Sequence, residues 1–177
     1  SGAIYAVRLL DQLVRKCNRV YVMLSSQAPQ VLHTEMNLTL DPERSLSQNL
    51  LGRECKNLIE VEKKNFFTPP ASGSFLHDGM VIVPCSMGTA GRIANGISDD
   101  LMTRSADVCL KERRKLVLAV RETPFNTIHL RNLTQLSEAG AIILPAAPAW
   151  YHNPTTLEDL ADTIVSRILQ QLDIEQD

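Results

Sequence analysis

The sequence predicts an α/β fold: a doubly wound parallel sheet with helices on both faces, built as one domain over residues 1–177. Three observations predict it. Helix-spaced and strand-like segments alternate along the chain, the pattern of βα units in a parallel sheet. The strand-like segments are short, continuous apolar runs, as expected when helices cover both faces. No linker, repeat or low-complexity tract interrupts the 177 residues, a length that suits a single domain.

The elements follow in order. Ile4 to Lys16 carries Ile4, Val7, Leu10 and Val14 at helical spacing. Val20–Leu24 is a short β-rich run ending at Ser25-Ser26. Pro29 stands near the start of a second helix reaching Glu35. Residues 37–57 are polar and mixed and specify no element. Leu58–Val61 reads as a short strand, and Thr68 to Ser74 as a loop rich in Pro, Ser and Gly. Met80–Pro84 is the clearest buried strand, and Ser86 to Leu110 forms one or two helices, with Gly88, Gly91 and Gly96 allowing close packing or a break. Lys115–Val120 is a strand, Thr127 to Ala139 a helix stopped by Gly140, and Ala141–Leu144 a strand ended by Pro145. Thr155 and Glu158 form a capping box that opens a last helix to about Leu172. A parallel sheet also wants a strand before the first helix, which places one upstream of Ser1.

Composition narrows the function. Lys plus Arg is 18 and Asp plus Glu is 20, a net charge of −2, which does not suit a nucleic-acid-coating protein. No apolar run reaches the roughly 20 residues that span a bilayer, and no secretory leader opens the sequence, so a cytoplasmic location is expected. Cys17, Cys55, Cys85 and Cys109 are scattered, without zinc spacing, and read as buried free thiols in a reducing compartment. The four histidines are scattered too, and no metal site is expected.

In an open parallel sheet, ligands bind beyond the carboxyl ends of the strands. Those ends carry Ser1-Gly2-Ala3 (after the expected upstream strand), Ser25-Ser26, Pro84 to Thr89, Arg121 to Pro124, and Pro145 to His152. Small residues there let backbone N–H groups approach a phosphate, although each Ser or Thr is also an ordinary helix cap. Together on one edge they point to an anionic ligand. Neither a G-x-G-x-x-G nor a P-loop pattern is present, and Cys85-Ser86-Met87-Gly88 is not a hydrolase elbow. Lys111 to Lys115 is either a basic patch or a solvated helix end placed favourably for the helix dipole.

The motifs Ser1-Gly2-Ala3-Ile4-Tyr5, Thr34-Glu35, Pro69 to Ser74 and Pro84 to Thr89 occur in one order, followed by Arg104 to Asp107, Leu110 to Arg114, Arg121 to Pro124, Pro148 to His152, and Arg167. In this order and over nearly the whole chain the sequence resembles the flavin prenyltransferases, the UbiX/Pad family of flavodoxin-like FMN-binding flavoproteins. The resemblance implies metal-independent transfer of a dimethylallyl group from dimethylallyl monophosphate to N5 and C6 of reduced FMN. The product, prenylated FMN, serves UbiD-type decarboxylases. The resemblance also implies a homo-oligomer, usually a dodecamer.

It implies FMN contacts from Ser1, Gly2, Ser25, Ser86, Met87, Gly88, Thr89 and Arg121. It implies prenyl-phosphate contacts from Tyr151 and Arg167, with Ser72, Arg104 and Lys111 nearby. Ser1, Glu35 and Glu122 are the expected catalytic residues: Glu122 ordering the phosphate and relaying protons, Glu35 supporting Ser1 or the flavin edge. The base is Glu122, Glu35 or the departing phosphate. Trp150 and Tyr151 suit an allyl-cation-like transition state or simple anchoring of a Pro-rich loop. Two departures stand out: Ser26 replaces a frequent lysine, and Trp150 replaces a more usual phenylalanine. Two alternatives are an FMN-dependent decarboxylase of the same group and a non-catalytic FMN carrier. The former typically has a first-helix His and a P-x-M-N-x-x-M-W segment, neither of which occurs here.

Overall fold

The computed structural model describes residues 1–175. The chain runs α1 (Ala3–Lys16), β1 (Val20–Val22), α2 (Ala28–Met36), α3 (Leu46–Leu51), β2 (Leu58–Glu60) and a 3-10 turn at Pro69–Ala71. It continues with β3 (Met80–Cys85), α4 (Met87–Ala94), α5 (Leu101–Lys111), β4 (Leu116–Val120), α6 (Thr127–Glu138), β5 (Ile142–Pro145) and α7 (Leu157–Gln171). All strand pairs are parallel: β1 with β2, β3 with β4, and β4 with β5.

β4 shows why its sequence reads as an unbroken apolar run. Leu116, Leu118 and Val120 face a layer formed with α4, α5 and α6, while Val117 and Ala119 face Leu9 of α1 and Ile164, Val165 and Ile168 of α7. Alternate side chains thus enter two different cores, and neither face is free to be polar. A third core joins α1 and β1 to α2 and α3, through Leu10, Val20, Leu32, Leu46 and Leu50.

The parallel α/β class expected from the sequence is present, but its strands form two separate sheets, β1-β2 and β3-β4-β5. Between β1 and β3 lies a cavity of about 1520 Å³, walled by Val20–Leu24 on one side and Met80–Pro84 on the other, with Leu9, Leu10 and Leu13 of α1 also lining it. The first-helix N-terminus lies at the carboxyl end of β3, since a Cβ on Gly2 would meet Pro84 at 3.5 Å.

One open expectation is resolved and two others need correction. The Ser86–Leu110 stretch is two helices, parted by Gly96 in the left-handed region (φ +68°) and restarted by an Asp100–Thr103 capping box. The α7 cap is Thr156 with Asp159, one residue later than expected, because Asp159 also accepts from the amide and hydroxyl of Thr155. Residues 37–57 contain α3, started by Ser45 accepting from the Gln48 amide.

Candidate active site

The strand carboxyl ends assemble one edge. Glu35, in the last turn of α2, crosses to the start of α1, where its Oε2 accepts from the amides of Gly2 (2.7 Å) and Ala3 (2.9 Å). Burial pushes this carboxyl up, but hydrogen bonds from the Ala3 amide, the Ser1 side chain and the Gly2 amide more than offset it, holding the pKa at about 2. Glu35 is therefore a fixed carboxylate sitting where the first amides of α1 point. Gly2 has φ +108°, and a Cβ there would come within 3.0 Å of the Tyr5 ring. A side chain is excluded on both counts. Arg121, just after β4, donates from Nε to the Ser1 carbonyl at 3.3 Å. Its neighbour Glu122 accepts from the Thr123 amide at 3.1 Å.

Ser86 caps α4: its Oγ accepts from the Thr89 amide and donates to Thr89 Oγ1, both at 3.1 Å. Met87 is buried beneath this turn, and Gly88 sits in open space, with only Ser86 Oγ near a notional Cβ, at 3.9 Å. Ser1, Ser25, Ser86 and Thr89 all line the large cavity, so β1 and β3 present their hydroxyls to one space.

The donor-site candidates are not gathered in one place. Tyr151, beyond β5, is 80% exposed and stacks on His152 with ring centroids 4.2 Å apart. Arg167 lies on the exposed side of α7, where its Nη1 donates to Gln170 Oε1 at 2.6 Å. Arg104 in α5 donates to the Ala71 carbonyl at 3.2 Å and to Asp107 at 3.2 Å, so it fastens the Pro69–Ser74 loop. Ser72 is exposed on that loop and hydrogen-bonds Ser74 at 2.9 Å. Lys111 ends α5, paired with Glu112, and a Cβ on Gly73 would come within 2.9 Å of Lys111 Nζ. Because α5 runs back from the Lys63 carbonyl to the start of β4, Lys111 lies toward the sheet edge opposite Ser1 and Ser86.

Several residues here escaped sequence reasoning. Arg114 is not merely a solvated helix end: it donates to the carbonyls of Gly73 and Phe75. Asp100, 3% exposed, caps α5 and also pairs with Arg92 (3.0 Å) and Lys63 (3.5 Å). Only its cap role was readable, from Asp and Thr three apart. Lys63 Nζ also stands 3.5 Å from Ser26 Oγ. Ser105 Oγ, buried and lining the cavity, has no hydrogen-bond partner among the described residues. All four cysteines are free, but only Cys85 and Cys109 are buried. Burial pushes Cys85 up to about 12 and Cys109 to about 11, so both remain thiols and neither is an activated nucleophile.

Comparison with known proteins decides the family. A model of the flavoprotein family matches residues 1–170. A flavin prenyltransferase UbiX from Pseudomonas aeruginosa is 47% identical over the whole chain and 87% of its own length. The chain belongs to the UbiX family of flavin prenyltransferases. A UbiX from Thermoplasma acidophilum is 42% identical, covering the whole chain and 92% of its own length. Among solved structures, AnUbiX (PadA1), in complex with FMN and dimethylallyl pyrophosphate, superposes with a TM-score of 0.87 at 38% identity, over 99% of this chain and 88% of its own. A dodecameric FMN-dependent UbiX-like decarboxylase from Escherichia coli O157:H7 gives 0.86 at 36%, over 99% and 91%. The peptidyl-cysteine decarboxylase EpiD, at 18% identity and a TM-score of 0.59, shares the fold alone.

Among the described residues no group of three or more His, Cys, Asp or Glu side chains is placed to hold a metal, and no helix is long and apolar enough to cross a membrane.

Proposed function

We propose that this chain is a flavin prenyltransferase that joins the dimethylallyl group of dimethylallyl monophosphate to reduced FMN. The observation that carries this reading is full-length identity of 40–47% to flavin prenyltransferases, combined with convergence of Ser1, Gly2, Glu35, Ser25, Ser86, Thr89 and Arg121 at one sheet edge. The residues suit a flavin nucleotide. Gly2 leaves backbone uncovered where a Cβ would collide, and the hydroxyls of Ser25, Ser86 and Thr89 face the cavity. When bound, reduced FMN supplies the nucleophilic N5 and C6 positions.

The chain's own residues then have distinct tasks. Glu35 keeps the Ser1-Gly2 turn in place by holding two amides, and its low pKa means it stays ionised and does not carry a proton at neutral pH. Arg121 ties the same turn to β4 through the Ser1 carbonyl and keeps its remaining N–H groups for an anion. Glu122 is the carboxylate beside Arg121, positioned to order the leaving phosphate and to accept a proton lost from the flavin. Tyr151 and Arg167 address the donor phosphate, Arg with paired donors and Tyr with a hydroxyl. Ser72, Arg104 and Lys111 complete that site from another copy in a homo-oligomer, which accounts for Lys111 lying toward the far edge. A dodecamer fits this arrangement and the large exposed side chains of Phe67, Leu76, Trp150 and Leu157. The product's recipient is a UbiD-type decarboxylase, and the location is the cytoplasm.

A coupled assay tests the reading. The protein, reduced FMN and dimethylallyl monophosphate are incubated anaerobically, and an apo UbiD-type decarboxylase is then added. Decarboxylation that requires all three components is expected. A carrier that only delivers FMN would give none, and a flavin decarboxylase would give product independent of the prenyl donor.

A further inference from the structure

We infer that Thr163 is a positioning residue for the prenyl donor: its hydroxyl fastens the loop that carries Tyr151 to α7, one turn before Arg167. The inference deepens the reading above and rests on its assignment of Tyr151 and Arg167 to the donor phosphate. Its first ground is the tie itself. Thr163 Oγ1 donates to the Leu160 carbonyl at 2.7 Å. Its hydrogen is thus used inside the helix, and a lone pair is left to accept the Ala149 amide at 3.2 Å. Threonine is a modest helix former, so its place within α7 is not explained by helix propensity. Other loop positions cannot make the same tie. Pro148 and Pro154 have no amide, and the Asn153 amide donates within the loop, to the Trp150 carbonyl at 3.1 Å.

The second ground is what the tie brings together. Tyr151 stands two residues beyond Ala149, at most about 7 Å of backbone. Arg167 stands four residues beyond Thr163, one turn along the same helix face and a rise of about 6 Å. One hydrogen bond therefore sets a phenol and a guanidinium within side-chain reach of a common anion. Both are accessible. Tyr151 is 80% exposed, and Arg167, also exposed, has a neutral partner in Gln170 Oε1 at 2.6 Å, which leaves it further donors. The support beneath them is firm. Asp162, beside Thr163, accepts from Arg8 Nε at 2.8 Å and Nη2 at 2.5 Å. That two-point pair fastens this turn of α7 to α1 and compensates the carboxylate nearest the tie. Ile164 and Val165, the next residues, are buried in the core beneath Val117 and Ala119 of β4. A donor phosphate thus meets a preset pair of groups rather than two that must be gathered.

The test follows prenylated-flavin formation against dimethylallyl monophosphate concentration in the full chain and its variants. Thr163→Val keeps the shape and removes the hydroxyl. It should raise the donor KM about three- to tenfold, as expected for loss of one neutral hydrogen bond. The rate at saturating donor and the FMN dissociation constant should stay within about twofold. Thr163→Ser, which restores the hydroxyl, should return the donor KM to within about twofold of wild type. Because Thr163 acts through Tyr151, adding Thr163→Val to Tyr151→Phe should raise the donor KM no further. A merely structural role would move the FMN constant and the donor KM together and would show no dependence on Tyr151. An unchanged donor KM in Thr163→Val, equal losses for both ligands, failure of Thr163→Ser to restore, or additive effects with Tyr151→Phe would overturn the inference. A Tyr151→Phe variant with the wild-type donor KM would instead overturn the donor-site reading on which it stands.

Discussion

Glu35 shows what a single carboxylate does in this fold. Its folded pKa of about 2 lies below the ordinary 4.5, so the folded state binds the proton less tightly than the unfolded state. Its stabilising contribution is therefore complete above about pH 4.5 and is lost as the pH falls toward 2. Glu35→Gln should remove that segment of the stability–pH curve while changing little of its slope above pH 6, as checked by denaturant melts across pH. Arg121 belongs to the same cluster. Arg121→Ala removes a tie to Ser1 and a charge-assisted donor, and should weaken FMN binding by about 1.5–3 kcal/mol. An unchanged flavin titration would count against its assignment. Arg167→Ala should leave FMN affinity intact and slow prenyl transfer at subsaturating donor. Transfer at the wild-type rate would remove Arg167 from the donor site. At this scale the sequence was legible where a motif carried its own reason, as with Gly2 or Ser86. It was silent on the loop-fastening contacts of Arg104 and Arg114, because their partners are backbone carbonyls of Ala71, Gly73 and Phe75. Carbonyls leave no trace in residue identity.

The elements were easier to read than their boundaries. β3 and β4 announce themselves as apolar runs because β4 is buried on both faces. By contrast α3 is six residues among polar neighbours, and only the Ser45 cap marks it. The junction of α4 and α5 rests on Asp100, which is cap and ion partner at once. Asp100→Asn keeps a good cap and loses both ion pairs, whereas Asp100→Ala loses the cap as well. We expect Asp100→Ala to destabilise by about 1 kcal/mol more than Asp100→Asn, the usual value of a cap. Equal thermal or chemical denaturation midpoints for the two variants would show that the cap contributes nothing.

At the scale of the whole molecule, the parallel α/β class was visible in the alternation of runs, and the break into two sheets was not. Periodicity reports which residues are buried but not which strands are neighbours. The site follows the same division. The proposed flavin half lies at the carboxyl ends of β1, β3 and β4, while Lys111 lies toward the opposite edge of the same chain. If a neighbouring copy supplies Lys111, mixed oligomers of Lys111→Ala and Arg121→Ala subunits should recover activity that neither variant shows alone. No recovery after co-refolding would place both residues in one chain's site.

The central claim is that the chain itself forms the carbon–nitrogen and carbon–carbon bonds of a prenylated flavin. Mass spectrometry of the flavin after anaerobic incubation with reduced FMN and dimethylallyl monophosphate measures this directly, with inorganic phosphate assayed in the same sample. The account predicts a flavin carrying one added five-carbon unit, with one phosphate released per flavin modified. Recovery of unmodified FMN with the donor intact, from protein shown to have bound both, would contradict it.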